Sequence, residues 1–283
     1  MNPKVLFLTN SQNDSPQEDE LLLAFLRKTF DVRVRHPLDS LPFLDSTQGV
    51  IIRNIWPVHE YQQDWDELKE LMRQRGLRVF NPLTFKGDVE GKDYLTSLSE
   101  SDYPVIPSID TIRDLARLPA SDRYWIKPKR SCDGIGAERL SREELLRKRP
   151  KGYIIQPFIE FECEPSFFFI DNQFHHAIWA KHRLHDDRVF PCEPTADELT
   201  FAGRFVQWAD MPYGIQRIDA VRMRDGNLLL TEVENLCPYL YLLEMGNTAR
   251  ASFLEAILAS MVTVFSSEPS EDGRREVVVY EEL

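Results

Sequence analysis

The sequence predicts a chain of α/β and α+β structure, in which a small parallel α/β domain precedes a larger, β-rich part. Short apolar runs alternate with amphipathic helical segments in residues 1–80. Residues 81–119 are richer in turn formers, which is typical of a connector. Short β-like runs predominate after the connector, and one long helical segment follows near the end. These changes of pattern divide the 283-residue chain into differently built parts.

Residues 1–80 follow the order βαββαβ. Strands are expected at 5–9, 32–34, 49–52 and 77–80, and helices at 18–30 and 64–75. In the first helix Leu22, Phe25 and Leu26 share one face, and Gly76 ends the second helix. Alternation of this kind predicts a parallel sheet with helices packed on it.

The rest of the chain is expected to contain the connector, two further domains and a tail. The connector at 81–119 carries helices at 92–99 and 110–118, a central subdomain covers 120–160, and a C-terminal domain covers 161–267. Further strands are expected at 124–127, 153–156, 166–170, 176–180 and 228–233, and further helices at 142–148, 198–210 and 248–265. Residues 268–283 form an acidic tail, with 277–280 as a candidate edge strand.

Charge and cysteine content exclude several classes of protein. The 34 basic and 46 acidic residues give a formal net charge of −12, which argues against nonspecific binding to nucleic acid or to anionic membranes. The four cysteines lie far apart without a CxxC pair, so neither a zinc knuckle nor a disulfide framework is predicted. The sequence shows neither a signal-peptide core nor an apolar run of about 20 residues. We therefore expect a cytoplasmic protein whose partners are neither nucleic acid nor membrane.

The segment YWIKPKRSCDGIGAERL is typical of a phosphate-binding loop. A β-like run delivers Lys127, and Pro128 stops the strand. The loop then carries the small residues Ser131, Gly134 and Gly136. Such a loop exposes backbone N–H groups that can surround phosphate oxygens, and the lysine adds a fixed positive charge. A simple hairpin turn is the alternative.

The segment RIDAVRMRDGNLLLTEVENLCP predicts a β-hairpin that carries a cluster of carboxylates. Period-2 alternation puts Glu232 and Glu234 on one face, and strand pairing brings Asp219 beside them. Crowded carboxylates repel one another unless cations lie among them, and their hard oxygens suit Mg²⁺ bound with ATP phosphates. Arg217 is expected beside the same site. A solvated acidic strand face is the alternative.

These two segments, with YIIQPFIEFECEPSFFFIDNQFHHAIWAKH between them, resemble the ATP-grasp superfamily. The similarity is to the carboxylate–amine ligases, such as D-alanine ligase, glutathione synthetase and the ribosomal-protein glutamate ligases. It covers roughly residues 81–265 and depends on the order of the motifs rather than on any one of them. The resemblance implies an ATP-grasp fold with an N-terminal α/β domain, a central lid subdomain and a C-terminal α+β domain, with ATP held between the last two.

The resemblance also implies which residues bind the nucleotide. They are Lys92, Lys127, Ser131, Gly134, Gly136, Gln156, Phe158, Ile159 and Glu164. The lysines contact phosphates and the small residues cover them. The adenine edge is held by the backbone of residues 156–159 and by the Gln156 side chain, and Glu164 receives the ribose hydroxyls. The family more commonly has glutamate where this chain has Gln156, which puts the adenine selectivity in question.

The remaining implied roles concern the metal and the transferred phosphoryl group. Asp219, Glu232 and Glu234 hold two Mg²⁺ ions, with Mn²⁺ as an alternative. Many relatives carry asparagine where this chain has Glu234, a conservative change for a hard metal. Arg217 contacts the transferred phosphoryl group, and Lys181 reaches phosphate or acyl phosphate.

The function implied by the resemblance is ATP-dependent joining of a carboxylate to an amine through an acyl phosphate, with release of ADP and phosphate. The partners are small-molecule carboxylate and amine substrates, with a peptide or protein substrate as an alternative, and a homodimer is common in the family. Two other functions stay open. One is an ATP-grasp enzyme that modifies a protein side chain or terminus, and the other is a non-catalytic ATP-binding regulatory or interaction protein.

Substrate candidates lie outside the nucleotide motifs. Arg53 and Trp56 follow the C-terminal edge of a strand, where open α/β sheets bind ligands, and Arg53 is expected to recognise a carboxylate. Arg188, in HRLHDDRVF, is a further candidate. A surface arginine is the alternative in both cases. The neighbouring His175 and His176 are expected to point to opposite faces of a strand and to have no metal role.

Overall fold

The computed structural model describes residues 2–10, 17–56, 58–84, 86–87, 91–131, 134–182, 186–236 and 238–266. The acidic tail at 268–283, with its candidate strand at 277–280, lies outside the described residues, and so does Cys132 of the predicted phosphate-binding loop. Within the described residues, three sheets and six α-helices carry the fold.

The N-terminal part is a four-stranded parallel sheet in the order β2-β1-β3-β4. Its elements are β1 (Lys4–Leu8), α1 (Gln17–Leu26), β2 (Asp31–Arg35), β3 (Gly49–Ile52), α2 (Gln62–Gln74) and β4 (Arg78–Phe80). The two central strands, β1 and β3, are almost continuously apolar and buried, as expected for strands covered on both faces. The predicted parallel α/β arrangement is confirmed.

The middle of the chain forms a three-stranded antiparallel sheet in the order β6-β5-β7. Its elements, with the helix that precedes them, are α3 (Tyr94–Glu100), β5 (Arg123–Pro128), β6 (Glu138–Ser141), α4 (Arg142–Lys148) and β7 (Tyr153–Pro157). A capping box between Ser141 and Glu144 begins α4. The helix predicted at 110–118 is a short 3₁₀ helix, Ile112–Arg117, and β6 was not predicted.

The C-terminal part is a five-stranded antiparallel sheet in the order β10-β9-β8-β11-β12. Its strands and helices are β8 (Glu164–Ile170), β9 (Gln173–His182), β10 (Asp186–Cys192), α5 (Ala196–Ala209), β11 (Ile215–Arg222), β12 (Leu228–Glu234) and α6 (Asn247–Ser266). Gly226, at positive φ, lies in the turn between β11 and β12 as the sequence predicts. β10 was not predicted.

One face of helix α6 packs into a core that it shares with β1. Phe253, Ile257, Met261 and Val264 recur at helical spacing and are buried in the same cluster as Phe7 of β1. By length and composition α6 could cross a membrane, since its mean hydropathy is 1.3 over an 18-residue window, of which a third is buried. The core helix of a soluble protein passes the same test, and the buried face gives α6 a place in the core here.

Asn81 joins the N-terminal sheet to the C-terminal one. It follows β4, and its Nδ2 donates to the carbonyl oxygens of Ile215 and Asn235, both at 2.7 Å. Its Oδ1 accepts from Ile215 N at 2.8 Å. Three hydrogen bonds from one buried amide thus fix where β11 begins and where β12 ends.

Residues 104–109 of the connector pair with two sheets at once. Leu230 of β12 donates its N–H to Pro104 O at 2.8 Å and accepts from Ile106 N at 3.2 Å. A few residues later, Ile109 exchanges both backbone hydrogen bonds with Ile155 of β7. The connector therefore sets the position of the middle sheet relative to β12.

Candidate functional site

The β11–β12 hairpin brings three carboxylates together. In its register Arg217 pairs with Glu234 and Asp219 pairs with Glu232. One oxygen from each of Asp219, Glu232 and Glu234 lies within 4.8 Å of the others. The alternation in the sequence predicts this cluster. Hard oxygen ligands at this spacing are the donor set that Mg²⁺ prefers.

Arg217 is buried within the cluster and holds two of its carboxylates. Its Nη2 lies 2.9 Å from Asp219 Oδ2 and 2.7 Å from Glu234 Oε1, while its Nε donates to both oxygens of Asp219. Burial would lower the pKa of Arg217, but Asp219 and Glu234 outweigh burial and hold that pKa above its usual value. Ser166 of β8 donates to Asp219 as well, a contact that the sequence did not predict.

Two lysines from different elements meet the third carboxylate. Lys92 Nζ lies 3.0 Å from Glu232 Oε1, and Lys127 Nζ lies 4.0 Å from the same oxygen. Burial opposes ionisation of Glu232, but the two lysines outweigh burial and lower its pKa. With Arg217, three cationic side chains face three carboxylates, so the cluster is charge-balanced as it stands. A metal–phosphate complex carries both positive and negative charge. When it binds such a site, the carboxylates can pair with the metal and the cationic side chains with the phosphate, so that no charged side chain loses its partner.

Gly87 fits closely against β12, the strand that carries two of the carboxylates. A β-carbon at Gly87 would lie 2.2 Å from Val233 O and 2.7 Å from Asn235 Oδ1. On the same strand, Val233 N donates to Tyr94 Oη at 2.8 Å. β12 is an edge strand, so these contacts cover backbone groups that no further strand pairs. They fix the two glutamates on either side of Val233.

The glycine loop after β5 is shaped by its small residues. Gly134 and Gly136 have φ of 69° and 75°, and a β-carbon at Gly136 would lie 2.9 Å from Pro128 Cγ. Ser131 Oγ donates to Pro128 O at 3.2 Å, so this hydroxyl stabilises the loop itself. Ile135 is 67% exposed at the tip. Among its described residues, 131 and 134–136, the loop therefore presents backbone and the exposed apolar side chain of Ile135.

Lys129 links the two site lysines. Its carbonyl oxygen accepts from Lys92 N at 2.9 Å, and it lies two residues after Lys127. Its Nζ is 2.9 Å from Asp110 Oδ2 and also binds Asp93. The sequence does not indicate a role for Lys129, because its partners Asp93 and Asp110 lie in the connector, 36 and 19 residues away along the chain.

The predicted adenine-binding strand end has an unusual buried amide. Gln156 is 1% exposed, and its Nε2 donates to Ser108 Oγ at 2.9 Å. Its Oε1 is buried and has no hydrogen-bond partner in the described part of the chain. Phe158 stacks under Arg139, whose guanidinium carbon lies 5.4 Å from the ring centroid, and Ile159 follows it directly. An unsatisfied acceptor at this position fits a ligand that donates a hydrogen bond.

Three further predicted residues lie on β8, β9 and β10. Glu164 begins β8, where it pairs with Ala180, and Lys181 is exposed on the next position of β9. Arg188 is exposed on β10, the edge strand that β9, β8 and β11 separate from β12. The roles predicted for these three residues remain predictions.

The prediction that Arg53 recognises a substrate carboxylate needs correction. Arg53 is buried, and its guanidinium binds two carboxylates of α1: Nη2 lies 2.8 Å from Glu18 Oε1 and Nε lies 3.0 Å from Asp19 Oδ1. Burial raises the pKa of Glu18 to about 7, although Arg53 acts in the opposite direction. Trp56, the other candidate, is half-buried and lies 6.0 Å from His59 between ring centroids.

The segment Pro238–Leu240 connects the Arg53 network to the acidic cluster. Arg53 Nη1 donates to Pro238 O at 2.7 Å, and Arg217 Nη1 donates to Tyr239 O at 2.9 Å. Leu240 N donates to Glu18 Oε2 at 2.9 Å. Buried charged groups of α1, of the residue after β3 and of β11 therefore hold three consecutive residues that follow β12.

The histidine pair also differs from the prediction. His175 and His176 do not point apart, since their Nδ1 atoms lie 2.8 Å from one another and both rings pack on Phe253. A register shift between Phe168 and Phe169 leaves His175 as an extra residue of β9, which turns both rings to one side. Burial lowers the pKa of His176 to about 3, so its ring is neutral in the fold.

Comparison with solved structures finds the same fold over almost the whole chain. The D-cycloserine synthetase DcsG matches with a TM-score of 0.70 at 22% identity, over 90% of this chain and 99% of that one. D-alanine–D-alanine ligase from Bacillus anthracis, complexed with ATP, gives 0.65 at 12% identity over 94% and 98%. The ATP-grasp ligase PsnB, complexed with a phosphomimetic variant of its minimal precursor, Mg and ADP, gives 0.63 at 14% over 92% and 98%. No protein-family model and no curated protein matches the sequence.

Proposed function

We propose that this chain, which has the ATP-grasp fold, is an ATP-dependent ligase that joins a carboxylate to an amine through an acyl phosphate. The observation that carries the proposal is the interleaving of Asp219, Glu232 and Glu234 with three cationic side chains in one partly exposed cluster. Phosphoryl transfer requires groups that bind the metal and groups that bind the phosphates. Here the carboxylates, which can bind a metal, are in direct contact with the lysine and arginine side chains, which can bind phosphates.

The carboxylate oxygens of the cluster fit a divalent cation. We propose that the three carboxylates hold two Mg²⁺ ions, for which Mn²⁺ is an alternative. Bound Mg²⁺ supplies positive charge that offsets the charge on the phosphate oxygens. The solved structures support this assignment, because PsnB is described as complexed with Mg and ADP.

The chain's own residues would act by orienting the reactants. Lys92, Lys127 and Arg217 exchange their present carboxylate partners for the β- and γ-phosphates of ATP. The substrate carboxylate then attacks the γ-phosphorus, the bond to the ADP oxygen breaks, and ADP leaves. The amine attacks the resulting acyl phosphate, phosphate leaves, and the amine loses its proton to give the amide. No side chain forms a covalent bond in this route.

Exclusion of water is the second requirement, because an acyl phosphate hydrolyses when it is exposed. The glycine loop is suited to cover the phosphates. Its backbone turns at Gly134 and Gly136, and Ile135 gives it an exposed apolar tip that can be buried on closure.

The proposal leaves open whether the substrates are small molecules or a peptide or protein. A peptide or protein is a second candidate because PsnB and the macrocyclase MdnC, which have the same fold, are both described in complex with a precursor peptide. A small-molecule pair is favoured equally by DcsG and D-alanine–D-alanine ligase, whose names denote small products. A non-catalytic nucleotide-binding role is disfavoured, because nucleotide binding alone does not require the whole carboxylate cluster.

The test is a screen of carboxylate and amine pairs, peptides included, for stimulated phosphate release. The expected nucleotide product is ADP, because Lys92, Lys127 and Arg217, which would bind the β- and γ-phosphates, converge on the carboxylates that would hold Mg²⁺. Chromatography of the nucleotides decides between routes without knowledge of the amide. Accumulation of AMP and pyrophosphate in step with product would contradict the acyl-phosphate route. Stimulation by no pair at all would favour the non-catalytic alternative.

A further inference from the structure

A buried hydrogen-bond chain fixes the orientation of the Gln156 side-chain amide. Ser108 Oγ donates its single proton to Ile106 O, 2.7 Å away. The hydroxyl oxygen can then only accept from Gln156, whose Nε2 lies 2.9 Å from it. If the amide were turned, the Ser108 proton would have to serve two acceptors. The amide nitrogen of Gln156 therefore faces Ser108, and Oε1 points away from Ser108.

The free end of this amide is an acceptor without a donor. Gln156 is 1% exposed, and its Oε1 has no hydrogen-bond partner among the residues that the structure describes. A buried carbonyl oxygen in this state is unfavourable unless a ligand supplies the donor.

Gln156 also lies on the face of the middle sheet that carries the phosphate-site lysine. In the β5–β7 pairing Trp125 is opposite Gln156 and Lys127 is opposite Ile154. Opposite residues of an antiparallel pair share a face, and so do residues two apart in one strand. The backbone of Gln156 is thus two residues, about 7 Å, along the strand direction from the position of Lys127. That lysine reaches the acidic cluster through Glu232.

We propose that Ser108 is a positioning residue that sets base selectivity. It fixes the Gln156 amide so that the site presents an acceptor to the six-membered ring of a purine. An exocyclic amino group there, as in adenine, satisfies Oε1. A carbonyl group at the same place, as in hypoxanthine, puts two acceptors against one another. The proposal rests on the proposed function, since it takes the ligand to be a purine nucleotide with its phosphates at Lys127.

The experiment compares ADP with inosine diphosphate, which replaces the amino group by a carbonyl. Binding of each to the full chain is measured by calorimetry in the presence of Mg²⁺. The wild-type protein is expected to bind ADP at least about tenfold more tightly, the effect of one unsatisfied buried acceptor. In Ser108→Ala the amide is free to turn, so the preference is expected to fall below about threefold.

Three variants separate positioning from a merely structural role. Ser108→Thr keeps the hydroxyl and is expected to keep the preference. Ser99→Ala is the matched control, because Ser99 Oγ accepts from Ser108 N and has no part in orienting the amide. If Ser108→Ala does not fold, Gln156→Met removes the acceptor itself and must abolish the preference.

The outcomes distinguish this inference from the proposed function. Equal weakening of both nucleotides by Ser108→Ala, or an absence of preference in the wild type, overturns the inference alone. Failure of the wild-type protein to bind either nucleotide overturns the proposed function, and this inference with it. Lys127→Ala, which acts on phosphates, is expected to weaken both nucleotides about tenfold or more without changing their ratio.

Discussion

The Arg53 network and the Arg217 network are two versions of the same motif. Each has a buried arginine held by two carboxylates, and each arginine also donates to a carbonyl of the segment Pro238–Leu240. They differ in access. The side chains of Glu18 and Asp19 are 0% exposed. Of the two carboxylates that hold Arg217, Asp219 is 5% exposed and Glu234 is 25% exposed, and the neighbouring Glu232 is also 25% exposed.

This difference separates a structural ion pair from a candidate reaction site. No ligand can reach the charges of a fully buried network, so these charges serve only to join α1, β3 and the segment after β12. A network open on one side can release its cations to an incoming phosphate and offer its carboxylates to a metal. Arginine beside carboxylates is therefore not a functional signal until the exposure of the carboxylates is known.

The largest effect is expected from Arg53→Met. The change leaves Glu18 and Asp19 buried without their cation, and breaking a buried pair in this way costs about 3–5 kcal/mol of unfolding free energy. Urea unfolding at pH 8, which is above the pKa of about 7 of Glu18, measures it. Arg75→Met is the control, because Arg75 pairs with Asp45 at the surface and should change stability by less than about 1 kcal/mol. Equal losses in the two variants would remove the distinction drawn between sealed and open pairs.

The next effect is the pH dependence contributed by Glu18. Its pKa is about 7 in the fold against 4.5 when unfolded, so the folded state binds more protons between these values. Unfolding free energy is then lost as pH rises from about 4.5 to about 7, by up to about 3 kcal/mol. In Glu18→Gln the amide oxygen can still accept from Leu240 N, but this loss should vanish.

The wild-type curve alone does not isolate Glu18. His176, with its pKa lowered to about 3, gives stability that is present above about pH 6.5 and is lost as pH falls. The quantity to measure is the difference in unfolding free energy between wild type and Glu18→Gln from pH 5 to pH 8. A difference that stays constant over that range would show that Glu18 is ionised in the fold at all these values.

The smallest of the three effects in free energy concerns the open network. Glu232→Gln keeps the side-chain volume and removes a metal-facing charge, so turnover is expected to fall at least about a hundredfold, about 2.7 kcal/mol. Unfolding free energy should fall by less than in Arg53→Met, since Glu232 is 25% exposed whereas the carboxylates that Arg53 neutralises are 0% exposed. Glu160→Gln, at an exposed pair with Arg224, is the control for both measurements. Full activity at saturating Mg²⁺, or destabilisation as large as in Arg53→Met, would place this cluster with the structural networks.

Local patterns in the sequence predicted the parts of the site that depend on neighbours along the chain. Glu232 and Glu234 share a face because strands alternate, and the turn at Gly226 fixes which residue of β11 lies opposite them. The helices and most strands followed from the same periodicity. β6 escaped prediction because ERLS contains one apolar residue in four.

Contacts between distant segments were not predictable in this way. Arg53 was assigned to a substrate because nothing near it in sequence shows that Asp19, 34 residues earlier, reaches its guanidinium. Ser108 lies in a connector marked by prolines, and only the Ile109–Ile155 pairing brings it to Gln156, 48 residues later. The register shift that turns His175 beside His176 leaves no trace in the amino-acid pattern.

The close fit of Gly87 against β12 has a consequence for recognising relatives of this protein. Val233 lies between Glu232 and Glu234, and a β-carbon at Gly87 would displace the carbonyl oxygen of Val233. A homologous sequence that keeps both glutamates but has a larger residue at this position must hold them at a different depth. Glycine here, some 145 residues before Glu232, is therefore a search criterion that the hairpin motif alone does not contain. Sequences that satisfy both are the ones in which the same constellation of carboxylates and lysines should recur.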